Sequence, residues 1–170
     1  MARRLTGLPT PETPGPGQES VWDYPRPPRL ERTTRHIQVV LNGQVVADTR
    51  RALRLLETSH PPTYYIPRKD VRTVLLFPAQ GGSFCEWKGS ARYYTVRVGE
   101  VVAVRAAWSY PDPLPRFAAL KDHIAFYASA VERCTVDGET VRPQPGGFYG
   151  GWITDDLAGP FKGSPGSAGW

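Results

Sequence analysis

Short runs of β-branched and aromatic residues, interrupted by turn signals, dominate the hydrophobic pattern of this chain. Residues 37–46 read Ile-Gln-Val-Val-Leu-Asn-Gly-Gln-Val-Val. An Asn-Gly pair between such runs is the strongest short signal for a hairpin, because a type I′ turn requires positive φ at both central residues. The same device recurs over residues 131–141, around Asp137-Gly138. The pattern therefore predicts two β-hairpins.

A third antiparallel pair is predicted in the middle of the chain. Residues 91–98 and 101–108 are two apolar runs joined by a Gly99-Glu100 turn. Their content of Val and Tyr is typical of strands. The only predicted helix is short, around 114–122, where apolar residues have helical spacing after a run of prolines.

Residues 50–57 are interpreted as a strand, although their leucines fit neither the helical nor the strand period cleanly. The following His60-Pro61-Pro62 ends this element, because a residue before proline is displaced from the α region. Residues 63–66, Thr-Tyr-Tyr-Ile, predict a further extended segment. Together these elements predict a mainly β, antiparallel domain with one short helix.

The amino-terminal part of the chain has a different composition, rich in proline and glycine. Residues 1–20 contain almost no large apolar side chains, which predicts a disordered or extended lead-in to a single β-rich domain over residues 21–170. Trp22 and Tyr24 lie in the proline-rich segment 21–28, which favours polyproline II geometry and an extended strap across the domain. A linear motif for a partner protein is the alternative for this arm.

Composition narrows the class of protein. The chain has 170 residues with 18 Pro and 17 Gly, which favours loops and short strands over long helices. A net charge of +5 without a basic stripe does not predict nucleic-acid binding. Neither a membrane-spanning run nor a secretory signal is recognised, so a cytoplasmic protein, monomeric or homodimeric, is expected.

Cofactor and metal motifs are not found in the sequence. Cys85 and Cys134 are the only cysteines and form no CxxC pair, and the three histidines lack metal-site spacing, so neither a disulfide framework nor a zinc site is expected. A single bridge between the two cysteines is compatible with the sequence but disfavoured in a reducing compartment. The glycine-rich carboxyl-terminal part lacks the phosphate-binding patterns, so no cofactor is expected.

The segment Ser83–Gly89 has the densest chemistry, with a thiol, a carboxylate, an indole and an ammonium on consecutive residues. If this segment is extended, strand alternation places Cys85 and Trp87 on one face and Glu86 and Lys88 on the other. Cys85 is then either a nucleophile activated by another cation or a small buried hydrophobe.

His60 is the second candidate for chemistry. It follows Glu57 by three residues, and two prolines stiffen the backbone after it. A rigid histidine beside a carboxylate suits acid-base catalysis, but it equally suits a ring that satisfies a buried backbone group. Both interpretations stay open.

Aromatic residues make the strongest case for a pocket, since they offer stacking and cation-π surfaces to a flat or cationic ligand. Packing in the core of a small β fold is the alternative for each of them. The tripeptide Trp87-Lys88-Gly89 is echoed by Phe161-Lys162-Gly163, and the two lysines are hypothesised to converge on one site. The predicted ligand-binding residues are Glu57, His60, Tyr65, Trp87, Lys88, Trp108, Tyr110 and Lys162.

Several motifs together resemble the bacterial domain of unknown function 427 family, over about Val21 to Trp170. They are LETSHPPTYYIP at 56–67, CEWKG at 85–89, AWSYP at 107–111, IAFY at 124–127 and GFYGGWIT at 147–154. The resemblance implies a β-tent-like fold of two packed sheets, similar to the thalidomide-binding domain of cereblon and to methionine sulfoxide reductase B. Relatives of that fold often bind zinc through two CxxC pairs, which this chain lacks, so the resemblance implies the aromatic-lined pocket without the metal.

Three functions follow from these observations. The first is binding of an unidentified small molecule in an aromatic-lined pocket. The second is an enzyme that uses Cys85 or His60 for nucleophilic or acid-base chemistry. The third is a protein-interaction module that works through the proline-rich arm.

Overall fold

The structure is a computed structural model that describes residues 7–170. It is mainly β, as predicted, with a seven-stranded and a four-stranded antiparallel sheet and two small two-stranded sheets. The strands are β1 (Glu19–Ser20), β2 (Arg29–Arg32), β3 (Ile37–Leu41), β4 (Gln44–Thr49), β5 (Leu53–Leu56), β6 (Thr63–Pro67), β7 (Leu76–Cys85), β8 (Gly89–Val98), β9 (Val101–Ser109), β10 (His123–Phe126), β11 (Arg133–Val136), β12 (Glu139–Thr140), β13 (Arg142–Pro143), β14 (Trp152–Ile153) and β15 (Leu157–Ala158).

The three predicted hairpins are confirmed. The φ angles are 49° at Asn42 and 70° at Gly43, and 49° at Asp137 and 81° at Gly138, as type I′ turns require. The hairpins β3-β4 and β11-β12 pair with each other through β3 and β11, which gives the four-stranded sheet the order β12-β11-β3-β4. The third hairpin, β8-β9, lies in the seven-stranded sheet, whose order is β2-β5-β6-β10-β9-β8-β7.

The main core lies between the two large sheets. It combines residues of the four-stranded sheet, such as Val39 and Val136, with residues of the seven-stranded sheet, such as Ile66, Val96 and Ile124. All five are fully or almost fully buried. The prediction of two packed sheets is thereby confirmed, and one face of the seven-stranded sheet is left for other contacts.

Two elements differ from the sequence prediction. The predicted helix is a 3-10 segment, Pro115–Leu120, with non-helical backbone angles at Phe117. The strap predicted as polyproline II begins instead with a 3-10 turn, Val21–Asp23, because the Ser20 side chain accepts a hydrogen bond from the Trp22 N–H and so caps it. Two further 3-10 turns are Arg68–Asp70 and Thr73–Leu75.

Three strands of the seven-stranded sheet were not predicted: the central strand β10 and the two edge strands β2 and β7. β2 follows the proline-rich segment, and β7 contains Pro78 and Gly81-Gly82, where its pairing with β8 is shifted in register. Proline and glycine weaken a strand signal and are tolerated at sheet edges and bulges. The sequence pattern of the two edge strands is therefore that of a loop.

The two ends of the described chain lie against each other. β1 pairs in parallel with β15, and the Glu12 N–H donates to the Gly159 carbonyl at 2.8 Å. The Trp22 and Trp170 rings are 5.6 Å apart, and the Trp170 indole N–H donates to the carbonyl of Gly7. Whether residues 1–20 are separable from residues 21–170 stays a prediction, and residues 1–6 lie outside the described part.

Within residues 7–170 no helix has the length and apolarity needed to cross a bilayer.

Candidate functional site

Strand alternation places a row of aromatic side chains on the face of the seven-stranded sheet that points away from the main core. On β6, Tyr64 points into the main core while its neighbour Tyr65 points to the other face, and Tyr94 and Tyr93 of β8 divide in the same way. Trp108 of β9 pairs with Tyr93 on one side and with the small Ala125 of β10 on the other. The small methyl of Ala125 leaves room for the large rings beside it.

These rings contact one another across the strands. Tyr65 and Trp108 meet edge to face with ring centroids 6.3 Å apart, and Tyr110 lies 6.3 Å from Tyr65. Tyr127 packs 4.5 Å from Trp108 on the other side. They belong to a second hydrophobic cluster, separate from the main core, in which Trp87 and Cys85 are partly buried. This cluster forms one wall of a cleft.

The segment Ser83–Gly89 forms a second wall of the cleft. Its last part is a hairpin loop and not an extended chain. Cys85 at the end of β7 pairs with Gly89 at the start of β8, so Glu86, Trp87 and Lys88 form the loop of a hairpin. Gly89 has φ 106°, a conformation that favours glycine. Residues 86–88 are therefore not extended, so the alternation of faces expected for an extended segment does not apply to them.

The remaining walls come from residues 57–61 and from the loop at residues 148–150. Phe148 and Tyr149 stack edge to face at 5.1 Å, and Tyr127 donates its hydroxyl hydrogen to the Phe148 carbonyl at 3.0 Å. The cleft encloses about 250 Å³. Its lining residues are Leu55, Glu57, His60, Pro61, Thr63, Tyr65, Ser83, Phe84, Cys85, Glu86, Trp87, Lys88, Tyr93, Trp108, Tyr110, Tyr127, Gln144, Phe148, Tyr149 and Gly150.

A tight turn brings Glu57 and His60 together. The His60 N–H donates to the Glu57 carbonyl at 3.0 Å, and Ser59 adopts φ 72°, a left-handed conformation that is costly for a residue with a side chain. Across this turn the Nε2 atom of His60 lies 3.3 Å from the Glu57 carboxylate. The local fold thus supplies the carboxylate-histidine pair that the sequence suggested.

Gln144 fixes the ring of His60 from the opposite side. Its Oε1 accepts from the Gly151 N–H at 3.1 Å, so its Nε2 is the donor to His60 Nδ1 at 2.9 Å and also to the Lys162 carbonyl. Because Nδ1 accepts, the ring hydrogen lies on Nε2 and is directed at Glu57. Tyr149 packs edge to face on the same ring at 4.7 Å. Both ring nitrogens are therefore used by neighbouring protein groups.

The Glu57 carboxylate is surrounded by positive groups. Burial works to raise the pKa of Glu57, but its hydrogen bond with His60 and the charges of Lys88 and Arg26 outweigh burial and hold the pKa below its usual range. The Arg26 guanidinium lies 3.3 Å from the carboxylate and also donates to the Thr58 carbonyl. Glu57 is thus ionised and already partnered.

Two tyrosines of the cleft, Tyr65 and Tyr110, stay protonated. Burial raises the pKa of both Tyr65 and Tyr110 well above the ordinary value of 10. The proximity of the Tyr65 hydroxyl raises the pKa of Tyr110 further, while the ammonium of Lys88 opposes this. Both hydroxyls can therefore donate hydrogen bonds at neutral pH.

Seven of the eight predicted ligand-binding residues line the cleft. Lys162 does not: its Nζ lies 5.6 Å from the centroid of the Tyr149 ring and donates to the Trp170 carbonyl. Lys88 lies 5.4 Å from the centroid of the Tyr110 ring. The two lysines thus stack on tyrosines that line the same cleft, although only Lys88 reaches it.

The two cysteines lie in different parts of the fold. Cys85 is half-buried in the cleft, and Cys134 is buried on β11 in the main core, where burial raises the pKa of its thiol. Both are free thiols. Within residues 7–170, no group of three or more His, Cys, Asp or Glu side chains could hold a metal ion.

Gln144 is one of the cleft residues that sequence reasoning missed. It stands between Pro143 and Pro145, in the same stiff setting as His60 before its two prolines. A polar residue held between prolines is a signal that could have found it. Its partners, at residues 60, 151 and 162, are too far apart in sequence for any local pattern to connect.

The fold and the cleft define a β-rich domain with an aromatic-lined depression on the face of its larger sheet that points away from the main core. A family model described as Domain of unknown function (DUF427) matches residues 29–137, well over half of the chain, and the chain belongs to this family. The match includes the cleft residues from Glu57 to Tyr127 but not Gln144 or Tyr149. No curated protein matches the chain.

Proposed function

We propose that this protein binds a small organic molecule in the aromatic-lined cleft. The observation that carries the proposal is the convergence of rings from separate segments of the chain, on β6, β8, β9, the 86–88 loop and the 148–150 loop, around one space of about 250 Å³. This volume is near the lower limit for ligand pockets, which suits a compound of one or two rings.

Polar groups among the rings support this proposal. Pockets of this kind combine apolar walls with a few polar groups that fix the orientation of the ligand. The cleft offers the Lys88 ammonium and the hydroxyls of Tyr65 and Tyr110. The Glu57-His60-Gln144 network holds the opposite wall in a fixed geometry.

The same network argues for binding over acid-base catalysis. A general base needs a ring nitrogen within reach of the substrate, and both nitrogens of His60 are engaged by Glu57 and Gln144. Cys85 is packed among the rings of the second hydrophobic cluster, as a small apolar side chain would be. Trp22 of the proline-rich arm donates its indole N–H to the Pro160 carbonyl and packs on Trp170. The aromatic side chain that a partner protein would recognise is therefore already bound by the domain itself.

A thermal-shift screen of nucleobases, cyclic imides, aromatic acids, amino acids and quaternary amines tests the proposal, because a ligand that binds the folded state raises the melting temperature by mass action. We expect at least one class to raise it in a concentration-dependent manner, and Trp108→Ala to abolish the shift. Trp22→Ala is the matched control, since Trp22 lies away from the cleft, and it should retain the shift. Hits that persist undiminished in Trp108→Ala would place binding elsewhere.

A further inference from the structure

Lys88 is the lysine that lines the cleft, and its charge has no direct counter-ion in the described part of the chain. It is half-buried, and in residues 7–170 no carboxylate forms an ion pair with it. Glu57 is the acidic neighbour close enough to feel its charge, but the carboxylate of Glu57 is already shared by Arg26 and His60. A partly desolvated ammonium without a counter-ion is stabilised by an anion that enters beside it.

The polar groups near Lys88 are hydrogen-bond donors. The hydroxyls of Tyr65 and Tyr110 belong to the same wall, and Lys88 lies against the Tyr110 ring. An ammonium and two phenols together present donors to whatever occupies the space. Such a set matches a ligand group that accepts hydrogen bonds, above all a charged one.

A cationic ligand fits this wall poorly. The faces of Tyr110 and Tyr149 that could attract a cation are already taken by the ammonium groups of Lys88 and Lys162. A further positive charge in the cleft would be repelled by Lys88. Glu86, the remaining acid of the lining, is exposed at the tip of the hairpin loop and does not neutralise Lys88.

Resting on the proposed function, we infer that the ligand is a planar ring compound bearing a carboxylate, and that Lys88 is the anchor of this carboxylate. The ring lies against Trp108, and the carboxylate accepts from the Lys88 ammonium and the Tyr110 hydroxyl. The charge of the ligand, rather than its ring, then decides which compounds the cleft selects.

Three probes with one ring system test this inference: 2-naphthoate, 2-naphthamide and 2-naphthylmethylamine, titrated by isothermal calorimetry. We expect the affinity order naphthoate, then naphthamide, then the amine. Lys88→Met should weaken naphthoate binding roughly tenfold or more, the range for a hydrogen bond to a charged group, and change naphthamide binding little. Lys69→Met, an exposed lysine on the 68–70 turn, is the matched control and should bind all three as the wild type does.

Lys88→Arg keeps the positive charge and should retain most of the naphthoate affinity, which separates loss of charge from loss of folding. The inference is overturned if the amine binds best, if Lys88→Met binds naphthoate as tightly as the wild type, or if a ligand class without a carboxylate alone binds. In each of these cases the proposed function still stands when Trp108→Ala weakens the observed binding, because that variant reports on the cleft independently of Lys88. An empty screen together with no binding of the three probes would overturn both.

Discussion

Single residues hold the site together through buried hydrogen bonds, and Gln144 is the clearest case. Its amide group satisfies a backbone N–H, a backbone carbonyl and a histidine nitrogen at once. The side chain is only 4% exposed, so water is not available to replace these bonds. A buried polar group that loses its partner costs about 1–3 kcal/mol.

Gln144→Met should therefore lower the free energy of unfolding by about 2–4 kcal/mol, because methionine has a similar volume but leaves three buried groups without partners. Urea denaturation measures this change. Gln80→Met is the control, since Gln80 is exposed, and a change within about 0.5 kcal/mol is expected for it. Equal stabilities of the two variants would contradict the role of Gln144.

At the scale of elements, the cleft depends on how closely the 148–150 loop approaches the seven-stranded sheet. A Cβ atom placed on Gly150 would overlap the Trp108 ring, so the ring packs directly on the glycine backbone. The loop is anchored on the other side by the hydrogen bond from Tyr127 to the Phe148 carbonyl. The position of Trp108 is thus fixed by a loop about forty residues later in the chain.

Gly150→Ala should displace either the loop or the Trp108 ring, with a loss of about 1–3 kcal/mol in the free energy of unfolding, the usual cost of overpacking. It should also reduce the thermal shift caused by any ligand of the cleft. Gly169→Ala, at a glycine with open space around it, is the matched control and should change neither quantity. Unaltered stability and binding in Gly150→Ala would show that the contact is not tight.

At the scale of the whole molecule, segments near the two ends of the chain support the fold from outside the main sheets. Glu19 of β1 accepts hydrogen bonds from Tyr24 and from Arg54, whose side chain is only 11% exposed. Arg54 also pairs with Glu31, so it keeps one carboxylate if Glu19 is removed. The large sheets themselves use none of residues 7–20.

Deleting residues 1–20 should therefore leave the domain folded but less stable, by about 1–3 kcal/mol, because β15 loses its partner strand and Arg54 loses one of two carboxylates. Circular dichroism tests whether the β structure is retained, and thermal denaturation measures the loss. Deleting residues 1–10 spares β1 and should cost less. An unfolded product after the longer deletion would show that the lead-in belongs to the folding unit.

Local patterns in the sequence determined those elements, such as the tight hairpin turns, whose conformation depends only on neighbouring residues. Positive φ at Asn42-Gly43 and Asp137-Gly138 follows from residue type, so the hairpins could be predicted. Several motifs also indicated the family and an aromatic pocket. Edge strands β2 and β7 could not be predicted, because proline and glycine hide the strand signal that pairing with a neighbour supplies.

Tertiary structure alone decided the geometry of the site. Sequence named Glu57, His60, Lys88 and Trp108 as residues of one site. The strand order of the seven-stranded sheet brings the β5-β6 loop with Glu57 and His60, and the β7-β8 loop with Lys88, to the space beside Trp108 of β9. Pairing of β7 with β8 makes residues 86–88 a loop, and the tertiary structure places Lys162 against the Tyr149 ring and not in the cleft lining. Residue types determine which functional groups the chain contains. Long-range strand pairing determines which of these groups come into contact, and no local sequence pattern specifies that pairing.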